Sequence, residues 1–289
     1  MLNGNLKLAI QKKGRLTDKS LLLLRNCGLD IEDYNERLII TSRNFELDIL
    51  FLRDDDIPEY VQDGVADIGI VGEDVLYERK SEVKIIRNLG YGRCKLALAI
   101  PESKEIKNLE EFNGQRIATS YPNILKLFLE KNKINADVVE ISGSVEIAPS
   151  LGVADYICDL VSTGNTLKLN KLKKSFEVFS SEAVLIACNK ISADKEKMEI
   201  LNNLLVRIDS ALKAKTSKYL MMNAPKSSLD EIKNILPSLK SPTILPLADD
   251  TMVAVHAVIP ADKFWTIHNK LKDAGASGIL LLPIDNMIV

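Results

Sequence analysis

The chain has 289 residues, 46% of them hydrophobic, with 38 basic against 40 acidic side chains and a formal net charge of −2. That length suits two compact units, or two lobes with an appendage; the balanced charge leaves no global field to draw the protein to nucleic acid or to an anionic membrane. Cys27, Cys94, Cys158 and Cys188 are scattered without the paired spacing that clips zinc, and His256 and His268 both fall late in the chain. They read as thiols of a reducing cytoplasm and leave no basis for a Ser-His-Asp or histidine-rich metal mechanism. No run approaches the ~20 apolar residues of a membrane span and no leader pattern opens the sequence, so a soluble cytoplasmic protein is expected.

In chain order, "LKLAI" (6–10) predicts a strand, and a helical period runs from Thr17 to Cys27 and stops at Gly28. "RLIIT" and "LDILFL" predict two further strands, followed by a helix at Ile57–Gln62 and the strand "DIGIVG". A second run of the same kind comprises "KLALAIP" (95–101), "QRIATSYP" (115–122), a helix through Leu129 and "ADVVEI" (136–141). Short strands alternating with helices indicate an α/β fold with a largely parallel sheet. "GVADIGIVGEDVL" (64–76) is partly echoed by "GVADYICDLVSTGNTL" (152–167). Chance resemblance of two buried strands is one reading; two related lobes with a ligand cleft at their strand ends is the other.

After "SEAVLIACN" (181–189), an amphipathic helix is expected from about Asp194 to Lys218, with Met198, Leu201, Leu204, Leu205, Ile208 and Leu212 on one face. The remainder reads as strand "YLMMN", helix Ser227–Leu236, strands "PTILPL" and "MVAVHAVI", helix Ala261–Ala274 and strand "GILLLP". This βαββαβ order is that of a small ferredoxin-like domain.

Neither a G-x-G-x-x-G after the first strand nor a P-loop is present. "CDLVSTGNTLK" (158–168) is the richest polar turn, since backbone N–H groups and hydroxyls gather where a strand gives way to a helix. Gly164 would let the backbone approach an anion. Asp159 would repel phosphate, so it suits sugar hydroxyls or a metal. The bland reading is a helix cap made by Ser162 or Thr163. An acid, two residues, then Ser-Thr-Gly-x-Thr is nevertheless similar to the loop with which phosphoribosyltransferases hold the 5-phosphate of phosphoribosyl pyrophosphate. Many such loops have two adjacent acids; here the first position is Cys158, leaving Asp159 alone or with Glu146.

The run "ISGSVEIAPSLGVADYICDLVSTGNTLK" (141–168) resembles the signature of the ATP phosphoribosyltransferases, which open histidine biosynthesis. "AIQKKGRL" (9–16), "RDDDIPEYVQDGVADIGIVGEDVL" (53–76) and "RIATSYPN" (116–123) are similar to that family, and "SKYLMMNAP" (217–225) and "SPTILPLAD" (241–249) to its long form. The resemblance implies α/β lobes of the periplasmic-binding-protein-like type II kind, formed by 1–92 with 181–215 and by 93–180. It also implies a regulatory ferredoxin-like domain at 216–289. ATP and phosphoribosyl pyrophosphate would be substrates, Mg²⁺ the cofactor, histidine and AMP inhibitors. A homodimer assembling to a homohexamer, without a separate regulatory subunit, is implied as well.

By the same resemblance, Ser162, Thr163, Gly164, Asn165 and Thr166 hold the 5-phosphate, with Asp159 and Glu146 at the ribose. Gln11, Lys12 and Arg15 are candidates for the phosphates of ATP or the pyrophosphate, although "QKKGR" alone reads as a solvated basic turn. Asp74 and Tyr121 fall near the adenine nucleotide. Mg²⁺ would be held mainly through the substrate pyrophosphate, with Asp159 as its candidate protein ligand. Arg53 and Asp54–Asp56 read at least as well as a helix start with favourable first-turn charge. No side chain is assigned as an acid or base. Asn223, Leu239, Ser277 and Gly278 match the histidine-inhibitor positions. A ligand-sensing protein without turnover is the competing class, since two lobes alone suit binding.

Overall fold

The computed structural model describes residues 4–32, 37–161, 165–238 and 241–288, apart from the side chains of Arg15 and Asn165. Ser162, Thr163, Gly164 and Leu239 therefore lie outside the described residues, as do the side chains of Arg15 and Asn165. The chain forms two compact units, one of residues 1–22 with 30–200, the other of residues 23–29 with 201–289.

The first unit begins with β1 (Leu6–Gln11), α1 (from Arg15, ending at Asn26), β2 (Ile39–Thr41), β3 (Leu47–Leu52), α2 (Ile57–Gln62), β4 (Ile68–Gly72), α3 (Glu73–Arg79) and β5 (Lys84–Asn88). It continues with β6 (Cys94–Pro101), β7 (Arg116–Thr119), α4 (Pro122–Asn132), β8 (Asp137–Glu140), β9 (Tyr156–Val161), α5 (Asn165–Leu169), β10 (Leu172–Ser181) and β11 (Ala183–Ala187). Two sheets result, β2-β3-β1-β4-β11-β5 and β10-β6-β9-β7-β8.

With the short edge strand β2 set aside, both sheets share one order. In each, a parallel trio runs second, first, third. Beside it lies a strand that crosses from the other half of the chain, antiparallel to both neighbours, and then the fourth. Ala183–Ala187 is the crossing strand of one sheet and Cys94–Pro101 that of the other. This is the α/β order implied for two periplasmic-binding-protein-like lobes. The central strands are covered on both faces, so β4 and β11 are buried at every residue and read as unbroken apolar runs.

The echo between the two lobes is structural. In both copies of Gly-Val-Ala-Asp the glycine has a left-handed backbone, φ 77° at Gly64 and 69° at Gly152. In both, the aspartate donates its N–H to the start of the lobe's first strand, Asp67 to Lys7 O at 3.0 Å and Asp155 to Arg116 O at 2.9 Å. Its carboxylate takes back the N–H of the same residue, at 2.8 Å from Lys7 and 2.9 Å from Arg116. The motif thus docks the third strand of each lobe onto the first. A basic side chain covers each carboxylate: Lys197 for Asp67 and Arg116 for Asp155.

The second unit contains most of α6 (Lys195–Lys215) and then β12 (Ser217–Pro225), α7 (Leu229–Ile235), β13 (Thr243–Pro246), β14 (Met252–Pro260), α8 (Phe264–Asp273) and β15 (Ser277–Leu282). Its antiparallel sheet has the order β13-β14-β12-β15, the ferredoxin-like arrangement expected from the βαββαβ pattern. Leu220, Met222, Val253, Val255 and Ile259 bury one face of that sheet against Ile232 of α7 and Phe264 and Leu271 of α8. The predicted long helix stops at Lys215 rather than Lys218, because Ser217 and Lys218 already pair with Pro260 and Ile259. All four cysteines are free thiols. No helix among the described residues is long and apolar enough to cross a membrane.

Candidate active site

The carboxyl ends of the parallel strands supply the site, as expected for an open α/β sheet. β1 ends at Gln11, β3 is followed by Arg53 and Asp54, β4 by Glu73 and Asp74, β7 by Ser120 and Tyr121, and β9 runs through Asp159 towards α5. At these ends lies a cleft of about 520 Å³ whose walls include Gln11, Asp54, Asp74, Glu146, Asp159 and Thr166 but not Tyr121. Lys19, Arg93 and Cys94 also line it. Of the sequence-predicted residues, Gln11, Asp74, Glu146, Asp159 and Thr166 meet here. Lys12 does not line the cleft, and its backbone N–H extends the β1–β3 pairing to Leu52 O at 2.7 Å.

Asp74 is buried in the first turn of α3. It is held by an exchange with Ser181, whose hydroxyl donates to Asp74 Oδ1 at 2.5 Å and accepts the Asp74 N–H at 3.0 Å. Gly72 is required beneath it, because a Cβ there would run into the Asp74 carboxylate. Gln11 Oε1 accepts the Leu16 N–H at 3.3 Å, and the Gln11 carbonyl accepts the Thr17 hydroxyl at 2.9 Å. The side chain is thereby fixed at the mouth of the loop.

Strand alternation separates Cys158 from Asp159. Cys158 packs into the core with Leu98, Ile117 and Leu125, and burial pushes its thiol well above the usual range. It cannot take the place of a second acid at a ligand. Asp159 faces the cleft and accepts the Leu160 N–H at 2.7 Å. Burial raises its pKa, the Leu160 bond opposes this, and the neighbouring Glu146 charge adds to the rise. The Asp159–Glu146 pairing raised from the sequence is thus a spatial one.

Asp54 is the residue that sequence reasoning left mainly to a helix start. It does open a 3₁₀ turn, Asp54–Asp56, yet it also lines the cleft, and its Oδ1 is buried without a hydrogen-bond partner. Burial, and then the charges of Asp74 and Asp55, push its pKa up to about 6. Its position directly after a parallel strand, like that of Asp74, is the signal that would have found it. Tyr121 sits within the field of the same carboxylates. Its hydroxyl is driven above the normal range by burial and then by Asp74, Asp159, Cys94 and Asp54, so it stays neutral and can both donate and accept.

Among the described residues the cleft therefore gathers four carboxylates against two basic side chains, Lys19 and Arg93, and Arg93 is bound to Glu182 at 3.1 Å. Among the described residues no three carboxylate, thiol or imidazole groups come together as a metal cage. A divalent cation fits such a site as a bridge carried by an anionic ligand, one that the orphaned Asp54 oxygen and its neighbours would accommodate. α5 has only five residues. Its dipole is correspondingly small. In the second unit Asn223 pairs with Ser277 across β12 and β15, and a Cβ at Gly278 would come within 3.7 Å of Asn223 Nδ2.

Comparison with known proteins agrees with this geometry. The family described as ATP phosphoribosyltransferase matches residues 53–210, and the one described as HisG, C-terminal domain matches residues 214–286. The ATP phosphoribosyltransferase of Parabacteroides distasonis is 51% identical over 284 residues, covering 98% of this chain and 100% of its own. That of Cytophaga hutchinsonii is 49% identical over 283 residues and 98% of each chain. A solved structure, the ATP phosphoribosyl transferase (HisG:HisZ) complex from Thermotoga maritima, aligns with a TM-score of 0.59 at 30% identity over 71% of this chain and 98% of that one. Motifs, fold, cleft and relatives converge, and the chain belongs to the ATP phosphoribosyltransferase family in its long form, with the C-terminal domain.

Proposed function

We propose that the cleft between the two sheets is where ATP meets phosphoribosyl pyrophosphate in the first step of histidine biosynthesis. N1 of adenine attacks C1 of the ribose with its own lone pair, and the C1–O bond to pyrophosphate breaks, the leaving group taking the electron pair. The products are phosphoribosyl-ATP and pyrophosphate. No proton must leave N1 before the bond forms, so alignment and charge stabilisation carry the reaction. This accords with a cleft in which both histidines are absent from the lining.

The observation that carries the reading is the convergence of Gln11, Asp54, Asp74, Glu146, Asp159 and Thr166 on one cleft. Asp159 and Glu146 accept hydrogen bonds from the ribose hydroxyls. Ser162, Thr163, Gly164, Asn165 and Thr166 hold the 5-phosphate. Asp74 and Tyr121 orient the adenine nucleotide, and Gln11, Lys12 and Arg15 meet phosphate groups. When bound, Mg²⁺ would be held mainly through the substrate pyrophosphate, with Asp159 as its candidate protein ligand, and would supply charge neutralisation for the leaving group. Removing the Asp159 charge by Asp159→Asn is expected to raise KM for phosphoribosyl pyrophosphate by about tenfold or more while changing KM for ATP little. Normal use of that substrate by the variant would sink the ribose assignment.

The C-terminal domain is the histidine-responsive part, with Asn223, Ser277, Gly278 and Leu239 receiving the inhibitor, and AMP competes at the nucleotide subsite. Because the domain is covalently attached, no separate regulatory subunit is needed. Met221, Leu245, Leu280 and Leu282 give the sheet an outer face with exposed or half-buried apolar groups, which supports assembly of dimers into hexamers. Free thiols and the absence of a membrane-crossing helix among the described residues accord with a cytoplasmic location.

A further inference from the structure

The nucleotide pair Asp74 and Tyr121 comes from different lobes, Asp74 at the start of α3 and Tyr121 immediately before α4. The groups proposed for the ribose and 5-phosphate of phosphoribosyl pyrophosphate, by contrast, lie between Glu146 and Thr166, within a single lobe. The two halves of the nucleotide subsite thus need something to hold them at a fixed spacing.

α4 cannot cap itself. Its N-cap residue is Tyr121, whose side chain makes no cap hydrogen bond, and Pro122 opens the helix. The orphan N–H groups of the first turn are taken instead by Glu78 of α3. The Asn123 N–H reaches Glu78 Oε1 at 3.0 Å and Oε2 at 3.1 Å, and the Ile124 N–H reaches Oε2 at 3.1 Å. In return, Asn123 Nδ2 donates to the Glu78 carbonyl at 2.9 Å. A carboxylate here satisfies donors the helix leaves unpaired and sits at the positive end of its dipole.

α3 is tied at its other end as well. The Glu73 N–H binds Glu182 O at 3.0 Å, and Asp74 is locked to Ser181. Midway, the Tyr77 ring meets Phe179 of β10 with centroids 4.9 Å apart. α3 is therefore a strut, and its Glu78 end is clamped to the residues that follow Tyr121.

We infer that Glu78, with Asn123, is a positioning residue for the nucleotide half of the reaction: it clasps α3 to α4 across the lobes and so sets Asp74 against Tyr121. This rests on the assignment of those two residues to ATP. Glu78 does not line the cleft, and loss of the clasp acts through the spacing of the groups assigned to ATP. ATP, bound across the lobes, is affected; phosphoribosyl pyrophosphate, whose ribose and 5-phosphate are bound within one lobe, is largely spared.

The test is steady-state kinetics and thermal unfolding of the full-length chain carrying Glu78→Ala, Glu78→Gln, Asn123→Ala, Asp74→Asn or Tyr121→Ala. Expected for Glu78→Ala is a rise in KM for ATP of about tenfold or more, with KM for phosphoribosyl pyrophosphate within about twofold of the parent. Glu78→Gln, which keeps one acceptor oxygen, and Asn123→Ala, which removes one bond of the clasp, should shift KM for ATP in the same direction but less. If Glu78→Ala fails to fold, these two milder variants carry the test. A parallel rise of both KM values together with a lower Tm would reduce Glu78 to a stabilising cap and overturn the inference. An unchanged KM for ATP in the Glu78 and Asn123 variants, with a raised one in Asp74→Asn and Tyr121→Ala, would overturn the clasp and leave the nucleotide subsite standing. An unchanged KM for ATP in Asp74→Asn and Tyr121→Ala would overturn both.

Discussion

Asp54 and Cys158 mark the limits of reading residues one at a time. The cysteine stands where a second ribose-binding acid was expected, and period-two alternation decides its fate: if Asp159 faces the cleft, Cys158 must face the core. Asp54 was hidden because a run of three acids before a helix has an ordinary explanation in first-turn charge. Its environment has a measurable consequence. A carboxyl whose pKa rises from 3.8 unfolded to about 6 folded binds its proton more tightly in the native state. Its contribution to stability is then fully present below about pH 4 and is lost as pH climbs through about 6. Asp54→Asn removes the charge without changing the shape. It is expected to stabilise the protein at neutral pH by about 1 kcal/mol, allowing for partial exposure, and to flatten the decline between those two pH values. Urea unfolding across that range tests this, and a destabilised variant at neutral pH would mean that Asp54 has a partner in the folded protein.

At the scale of elements, the strands legible in the sequence were those rich in apolar or β-branched residues, central and edge strands alike. β4 is a continuous apolar run, β3 and β6 are interrupted only by Asp48 and Lys95, and α2 begins and ends where its turn chemistry implies. Two strands were not legible. β5, "KIIRN", is an edge strand without a fully buried residue. β10 has two register irregularities, between Lys174 and Glu177 and between Glu177 and Phe179, which break its alternation. The Gly-Val-Ala-Asp echo was visible as a pattern, but its meaning as a strand-docking device required the hydrogen bonds. The two copies differ in burial, so their aspartates should differ in worth. Asp67 and Lys197 are 10% and 23% exposed, Asp155 and Arg116 32% and 46%. Asp67→Ala strands a largely buried cation and should cost about 3 kcal/mol. Asp155→Ala should cost about 1 kcal/mol, since solvent screens the pair it breaks. Denaturation of the two variants side by side checks the ranking, and equal losses would contradict it.

For the molecule as a whole, one cleft serves both lobes, and its acidic lining was not readable from a nearly neutral composition. The sequence placed Asp74, Glu146 and Asp159 at the site one at a time; folding gathers them with Asp54 on one cleft. Two polyanionic substrates meet less repulsion in such a site when their charge is neutralised. The most direct measurement is turnover by the purified chain alone, given ATP, phosphoribosyl pyrophosphate and Mg²⁺. Release of pyrophosphate with the new absorbance of an N1-substituted adenine is expected, abolished by a chelator and restored by Mg²⁺, with no second protein added. Tight binding of both substrates without product, or product only when a separate subunit is supplied, would contradict it.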